Sequence, residues 1–196
     1  MLKPCIKSLV LGAALVLGPA VVSASAEIGA PAPAFTAVDA LGKPVELSAY
    51  KGKTVVLEWT NHDCPFVKKH YESGNIPKLQ QHAQSQDVVW LQVLSSARGK
   101  QGHVDGAKAL QLNATRKAVP TRVVLDADGA VGKRYGAQTT PHLFIVDPRG
   151  TLVYRGAIDS IASADQADIA KAENYVTSSL AALAAGKPIA KSSTKP

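Results

Sequence analysis

The run Thr54 to Trp59, TVVLEW, is β-branched and apolar, follows the polar punctuation Lys51-Gly52-Lys53, and fits a buried strand. A second run of the same character spans Val88 to Leu94. Between them, Pro65 to Gln86 has helical spacing, with Phe66, Val67 and Tyr71 near one face. The pattern breaks at Gly74-Asn75 and restarts with Pro77 in the first turn of a second helical piece. Strand, helix and strand in this order predict a parallel pair joined by a right-handed crossover, a unit that needs further strands beside it and helices over its faces.

The rest of the chain supplies them. Ile28 to Phe35 contains Pro31 and Pro33 and reads as an extended lead-in. Three stretches share the form Asp-x-x-Gly, at Asp39 to Gly42, Asp126 to Gly129 and Asp147 to Gly150. Asp first and Gly fourth suit a type I turn, so each is expected to join two short strands. The middle one lacks the further acidic ligands and closing Glu of a calcium loop. His142 to Val146 and Leu152 to Arg155 flank the third turn as a hairpin, and Asp165 to Ala185 reads as a closing amphipathic helix. The prediction is one α/β domain over residues 27–186, a central mixed sheet with helices on both faces. Residues 187–196, rich in Lys, Ser, Thr and Pro, are expected to be a disordered tail.

The first 26 residues have the three parts of a secretory signal: Lys3 and Lys7, an apolar run from Leu9 to Leu17, and the small-residue site Ala24-Ser25-Ala26. Cleavage after Ala26 would leave a soluble periplasmic or secreted protein, since no run reaches the roughly 20 apolar residues of a membrane-spanning helix. Cys5 precedes the apolar run and would go with the signal, which leaves Cys64 as the one cysteine. Loss of Lys3 and Lys7 lowers the net charge from +7 to +5. The basic residues are scattered and the aromatics few, so no nucleic-acid partner is expected.

A lone cysteine in an exported chain is an apolar filler, a reactive thiol, or half of an intermolecular pair. Cys64 follows the first strand and a short loop and directly precedes Pro65, which opens the helix. Free backbone N–H groups and the positive end of the helix dipole favour an anion at that place, and the thiolate is the nucleophilic form. Lys68 and Lys69 would reinforce this only if their side chains reach back.

The segments GKTVVLEWTNHDCPFVKKHY, Gly52 to Tyr71, and RYGAQTTPHLFIVDPRGTLVYRGAID, Arg134 to Asp159, resemble the thioredoxin superfamily. With LGKPVELSAYKGK before them and VVWLQVLSSARGKQGHV between, the resemblance covers most of the chain. It is closest to the peroxiredoxin-like group of the redoxin (alkyl hydroperoxide reductase and thiol-specific antioxidant) family. This resemblance implies a thioredoxin-like fold with Cys64 as the nucleophilic first cysteine of Cys-x-x-Cys. Val67 stands where the second cysteine would be. It further implies that Pro141, preceded by Thr140, is the cis-proline facing the thiol, with Thr140, Pro141 and Trp59 forming the substrate groove. Glu58 resembles the buried acid that shuttles a proton for the thiol, and its alternative is a solvated or paired strand-end charge. The peroxiredoxin arrangement Pro-x-x-x-Thr/Ser-x-x-Cys is not reproduced: Leu57 and Asn61 occupy its two conserved places, and Thr60 is one position off.

His62 and His142 flank Cys64 and Pro141 in sequence and could complete a copper or zinc site, but copper-handling relatives use two cysteines, so no metal and no cofactor is expected. His70, His82 and His103 form no pattern, and Asn113-Ala114-Thr115 is a glycosylation sequon of meaning only in a eukaryotic secretory route. The expected activity is thiol-dependent oxidoreduction, by disulfide exchange or peroxide reduction, closed by an external thiol or a disulfide-bearing protein. The alternative is a non-catalytic module that holds a protein segment or metal ion in the same groove.

Overall fold

The structure is a computed structural model, and it describes residues 26–196; the expected signal segment otherwise lies outside the described residues. The strand read first in the sequence is β3, Val55–Trp59, and the second is β4, Val89–Leu94. They pair in parallel, with Val55 opposite Val89 and Trp59 opposite Val93. Between them lie α1, Pro65–Glu72, and α2, Asn75–Ser85. The break between the helices is Gly74, at φ +75°, a left-handed conformation that glycine adopts without a steric penalty.

Five more strands complete a mixed sheet: β1 Thr36–Asp39, β2 Pro44–Glu46, β5 Arg122–Leu125, β6 His142–Val146 and β7 Leu152–Gly156. The order is β2-β1-β5-β4-β3-β6-β7, so β3 and β4 are central and buried along nearly all their length. Period-two alternation sorts their side chains. Val55, Leu57 and Trp59 face one core with Val124, Phe144, Val131 and Tyr135; Val56, Trp90, Leu143 and Ile145 face the other with Val67, Tyr71, Ile76 and Leu79. Each of these large side chains contributes about 1.5–3 kcal/mol by leaving water. Helix α4, Ala130–Tyr135, covers the first face; α1, α2, α3 (Gly106–Thr115) and α5 (Tyr175–Ala184) pack over the second. The mixed sheet with helices on both faces is as expected.

Several local expectations need correction. The Asp39 and Asp147 turns join strands, but Asp126 to Gly129 leads from β5 into α4. There Asp126 accepts the backbone N–H groups of Val131 and Gly132 through its two oxygens, so it serves the start of a helix. The closing helix begins at Tyr175, capped by Asn174, and only a short 3₁₀ turn at Gln166–Asp168 forms before it. Phe66 does not share the buried face of α1: Val67 and Tyr71, four apart, are inside while Phe66 is exposed. Residues 187–196, expected to be disordered, instead return to the sheet, where Ser193 bridges Arg155 of β7. Among the described residues no helix is long and apolar enough to cross a membrane.

Candidate functional site

Cys64 is the N-cap of α1, in extended conformation (φ −68°, ψ 126°), with Pro65 as the first helical residue. Its own backbone N–H is used by Asn61 O at 3.1 Å, and its side chain makes no capping bond. Proline has no N–H to lose at this position and its fixed φ suits a helix start, so the Cys-Pro order places the thiol at the helix end. The preceding loop is held by Asn61, whose Oδ1 accepts from Asp63 N and whose Nδ2 donates to Gln101 O.

The thiol is part-buried and free, and its Sγ donates to the Thr140 carbonyl oxygen at 3.0 Å. The Thr140–Pro141 peptide bond is cis, as expected. Cys64, Thr140 and Pro141, remote in sequence, are therefore brought together. Beside them runs a cavity of about 450 Å³ whose walls include Phe66, Thr140, Pro141, Ile158 and Ile161. The wall from Asp159 to Ile161 is fixed from beneath. Lys69, almost wholly buried, places its Nζ 3.4 Å from Asp159 Oδ2 and donates to Ile161 O at 3.1 Å. His70 Nε2 is 3.7 Å from the same carboxylate oxygen, and Asn75 Nδ2 sits 2.8 Å from His70 Nδ1. Burial, opposed by Asp159 and assisted by Lys69, lowers the His70 pKa to about 4. Lys69 thus reaches toward the groove wall, away from the reinforcement of the thiol that its sequence position allowed.

Two residues assigned to the site by resemblance make no hydrogen bond to Cys64. Glu58 is buried, and its carboxylate accepts from Tyr71 Oη at 2.7 Å, Trp90 Nε1 at 2.7 Å and Gln80 Nε2 at 3.4 Å. None of its hydrogen bonds reaches Cys64. Desolvation raises its pKa, against the pull of the Tyr71 and Trp90 bonds. Tyr71 continues the network: its Oη accepts from Gln92 Nε2 at 2.6 Å, and Gln92 and Asn113 bond each other reciprocally. Trp59 lies across the sheet from the thiol, in the core with Tyr135 and Phe144, and its indole N–H donates to Ser95 Oγ at 3.0 Å. It lines a smaller cavity of about 300 Å³ together with Asn61, Thr139 and Thr140.

The histidines considered as metal ligands diverge as well. His62 contacts Asp63 at 3.4 Å, whereas His142 is buried, stacked 4.4 Å from Phe144, and receives Gln138 N–H on Nδ1. Burial, with Arg155 nearby, lowers the His142 pKa to about 4. Among the described residues no group of three His, Cys, Asp or Glu side chains is placed to hold a metal. Sequence reading missed Phe66 and the 158–161 wall. The first was legible from the i, i+4 spacing of Val67 and Tyr71, which turns Phe66 outward; the second has no local signal.

The strand order and the thiol at the start of the crossover helix define a thioredoxin-fold protein. The chain belongs to the redoxin family, whose model, described as Redoxin, matches residues 27–175. No curated protein matches it. Among solved structures it is similar to a hypothetical protein of Sinorhizobium meliloti 1021, with 21% identity, TM-score 0.70, and coverage of 86% of this chain and 89% of that one. An uncharacterized conserved protein of Geobacillus kaustophilus has 21% identity, TM-score 0.72, and coverage of 86% and 88%. A secreted Mycobacterium tuberculosis disulfide oxidoreductase has 22% identity, TM-score 0.51, and coverage of 70% and 92%. At these identities the likeness establishes the fold.

Proposed function

We propose that this redoxin is an exported thiol oxidoreductase that works through the single nucleophile Cys64. The observation that carries this reading is the placement of a part-buried free thiol at a helix N-terminus, 3.0 Å from the carbonyl of Thr140, a residue that itself lines the neighbouring cavity. Ionised Cys64 attacks one sulfur of a disulfide, a new S–S bond forms, the old one breaks, and the other sulfur leaves as a thiolate. The proton of Cys64 passes to solvent, because the Glu58 oxygens are committed to Tyr71, Trp90 and Gln80. Val67 is fully buried and carries no sulfur, so an external thiol must attack the mixed disulfide to regenerate Cys64. With a hydroperoxide the same thiolate would take one oxygen, release an alcohol or water, and leave a sulfenic acid that an external thiol condenses with and then reduces. The missing Thr/Ser of the peroxidatic pattern favours disulfide exchange over this second route. Export to the periplasm or beyond rests on the signal-like residues 1–26, and the solved secreted oxidoreductase of the same fold agrees with it.

The test is incubation of the purified chain, signal removed, with a small aromatic disulfide at neutral pH, followed by intact mass. One mixed disulfide should form on Cys64 and persist until a thiol is added. A folded protein whose Cys64 ignores both disulfide and peroxide would make the thiol a filler, and the reading as a binding module would replace the enzyme.

A further inference from the structure

The segment 192–196 has a built seat on the sheet. Arg155 N–H donates to Ser192 O at 3.0 Å and Thr194 N–H donates to Arg155 O at 3.1 Å, extending the edge of β7 in parallel. The Thr194 hydroxyl accepts from Ala157 N at 3.0 Å and meets Tyr154 Oη at 2.9 Å, while Tyr154 Oη donates to Ala157 O at 2.6 Å. Gly156 makes this approach possible: a Cβ there would fall 2.0 Å from Thr194 Oγ1, and the residue sits at φ +150°. From this anchor, Thr194, Lys195 and Pro196 run on to line the same cavity as Phe66, Thr140 and Pro141.

We infer that residues 194–196 are a specificity-determining wall of the thiol groove, which admits small disulfides to Cys64 and holds back disulfides on the surface of folded proteins. The inference rests on Cys64 being the exchanging thiol. Its physical basis is size. The cavity is lined by the exposed Phe66 of α1 and by Thr194, Lys195 and Pro196, a segment fixed through backbone pairing and one hydroxyl, with no large apolar side chain of its own. A small disulfide enters a cavity of about 450 Å³ without moving the segment. A folded protein must displace the segment first, which costs its hydrogen bonds to β7.

Thr194→Pro removes both the N–H that bonds Arg155 and the hydroxyl that bonds Ala157, and a second variant ending at Lys191 removes the wall entirely. Mixed-disulfide formation by Cys64 would be followed by intact mass with cystine and with insulin, after circular dichroism has shown the native fold. In both variants the rate with insulin should rise about tenfold, while the rate with cystine stays within about twofold of the parent. Equal rates for parent and variants with both probes, or an equal rise with both, would overturn the wall and leave the thiol function standing. If neither disulfide reacts in any of the three proteins while iodoacetamide still alkylates Cys64, the exchange reading itself fails and the wall falls with it.

Discussion

The Cys64 thiol and the Thr140 carbonyl oxygen are hydrogen-bonded at 3.0 Å across a sequence separation of 76 residues. Serine at position 64 keeps a donor for that carbonyl, whereas alanine leaves the carbonyl without it. Cys64→Ser should therefore lose all mixed-disulfide formation and melt within a few degrees of the parent. Cys64→Ala should be destabilised by about 1 kcal/mol in urea unfolding, the usual net value of one such bond. Residual exchange in the serine variant would place the reactive group elsewhere.

Val67→Cys should change the kinetics of release. Val67 is one turn from Cys64 and wholly buried in the core beneath α1, so the smaller cysteine costs about 1 kcal/mol of packing. The new sulfur supplies the internal attack that the parent lacks. A mixed disulfide that persists on the parent should collapse to an internal disulfide in the variant, seen as a loss of two mass units relative to the reduced chain. A stable adduct on Val67→Cys would show that the two positions cannot meet.

Tyr71→Phe tests the buried network. Its hydroxyl donates to Glu58 and accepts from Gln92, and phenylalanine would leave both partners short of a bond in a dry interior. A loss of about 1–3 kcal/mol is expected from the urea midpoint, with the Cys64 exchange rate unchanged, since the Glu58 hydrogen bonds go to Tyr71, Trp90 and Gln80 and none reaches Cys64. A fall in the exchange rate without a loss of stability would restore Glu58 to the reaction.

Lys69→Met should cost about 3 kcal/mol, because it strands the Asp159 carboxylate nearly out of water. Backbone amide exchange should speed up at Ile161, whose N–H is held by Asp159. A stability equal to the parent's would mean that the pair contributes nothing to holding the groove wall.

Histidine titration sets an acid limit. Burial holds His70 and His142 neutral, with pKa values of about 4 in the fold, whereas an unfolded histidine takes its proton near pH ~6.5. Between those values the unfolded chain binds more protons, so the stability due to both residues is full above pH ~6.5 and is lost as pH falls toward 4. Glu58 runs the opposite way: its raised pKa gives a contribution that is full at acid pH and lost as pH rises. The urea midpoint should therefore fall between pH 6.5 and 4.5, less steeply in His142→Phe. Identical slopes would show that His142 is not held neutral.

Much of the fold was legible because it depends on local pattern. TVVLEW and Val88 to Leu94 alternate between two cores, Gly74 interrupts the helix, and the Cys64-Pro65 order starts it; each is a property of a few neighbouring residues, and the thioredoxin-like order follows from their sequence. What the chain could not state locally was which side chains share a space. Glu58 and Trp59 are adjacent on one strand, yet the pleat sends one into the polar network under α1 and the other into the aromatic core across the sheet, and neither to Cys64. The groove is made by Phe66, Pro141, Ile158 and a tail whose composition is that of a disordered segment. That tail is ordered because β7 has a free edge, Gly156 has no Cβ, and Thr194 finds donors and acceptors there. Such pairing appears only once distant parts of the chain have been packed side by side.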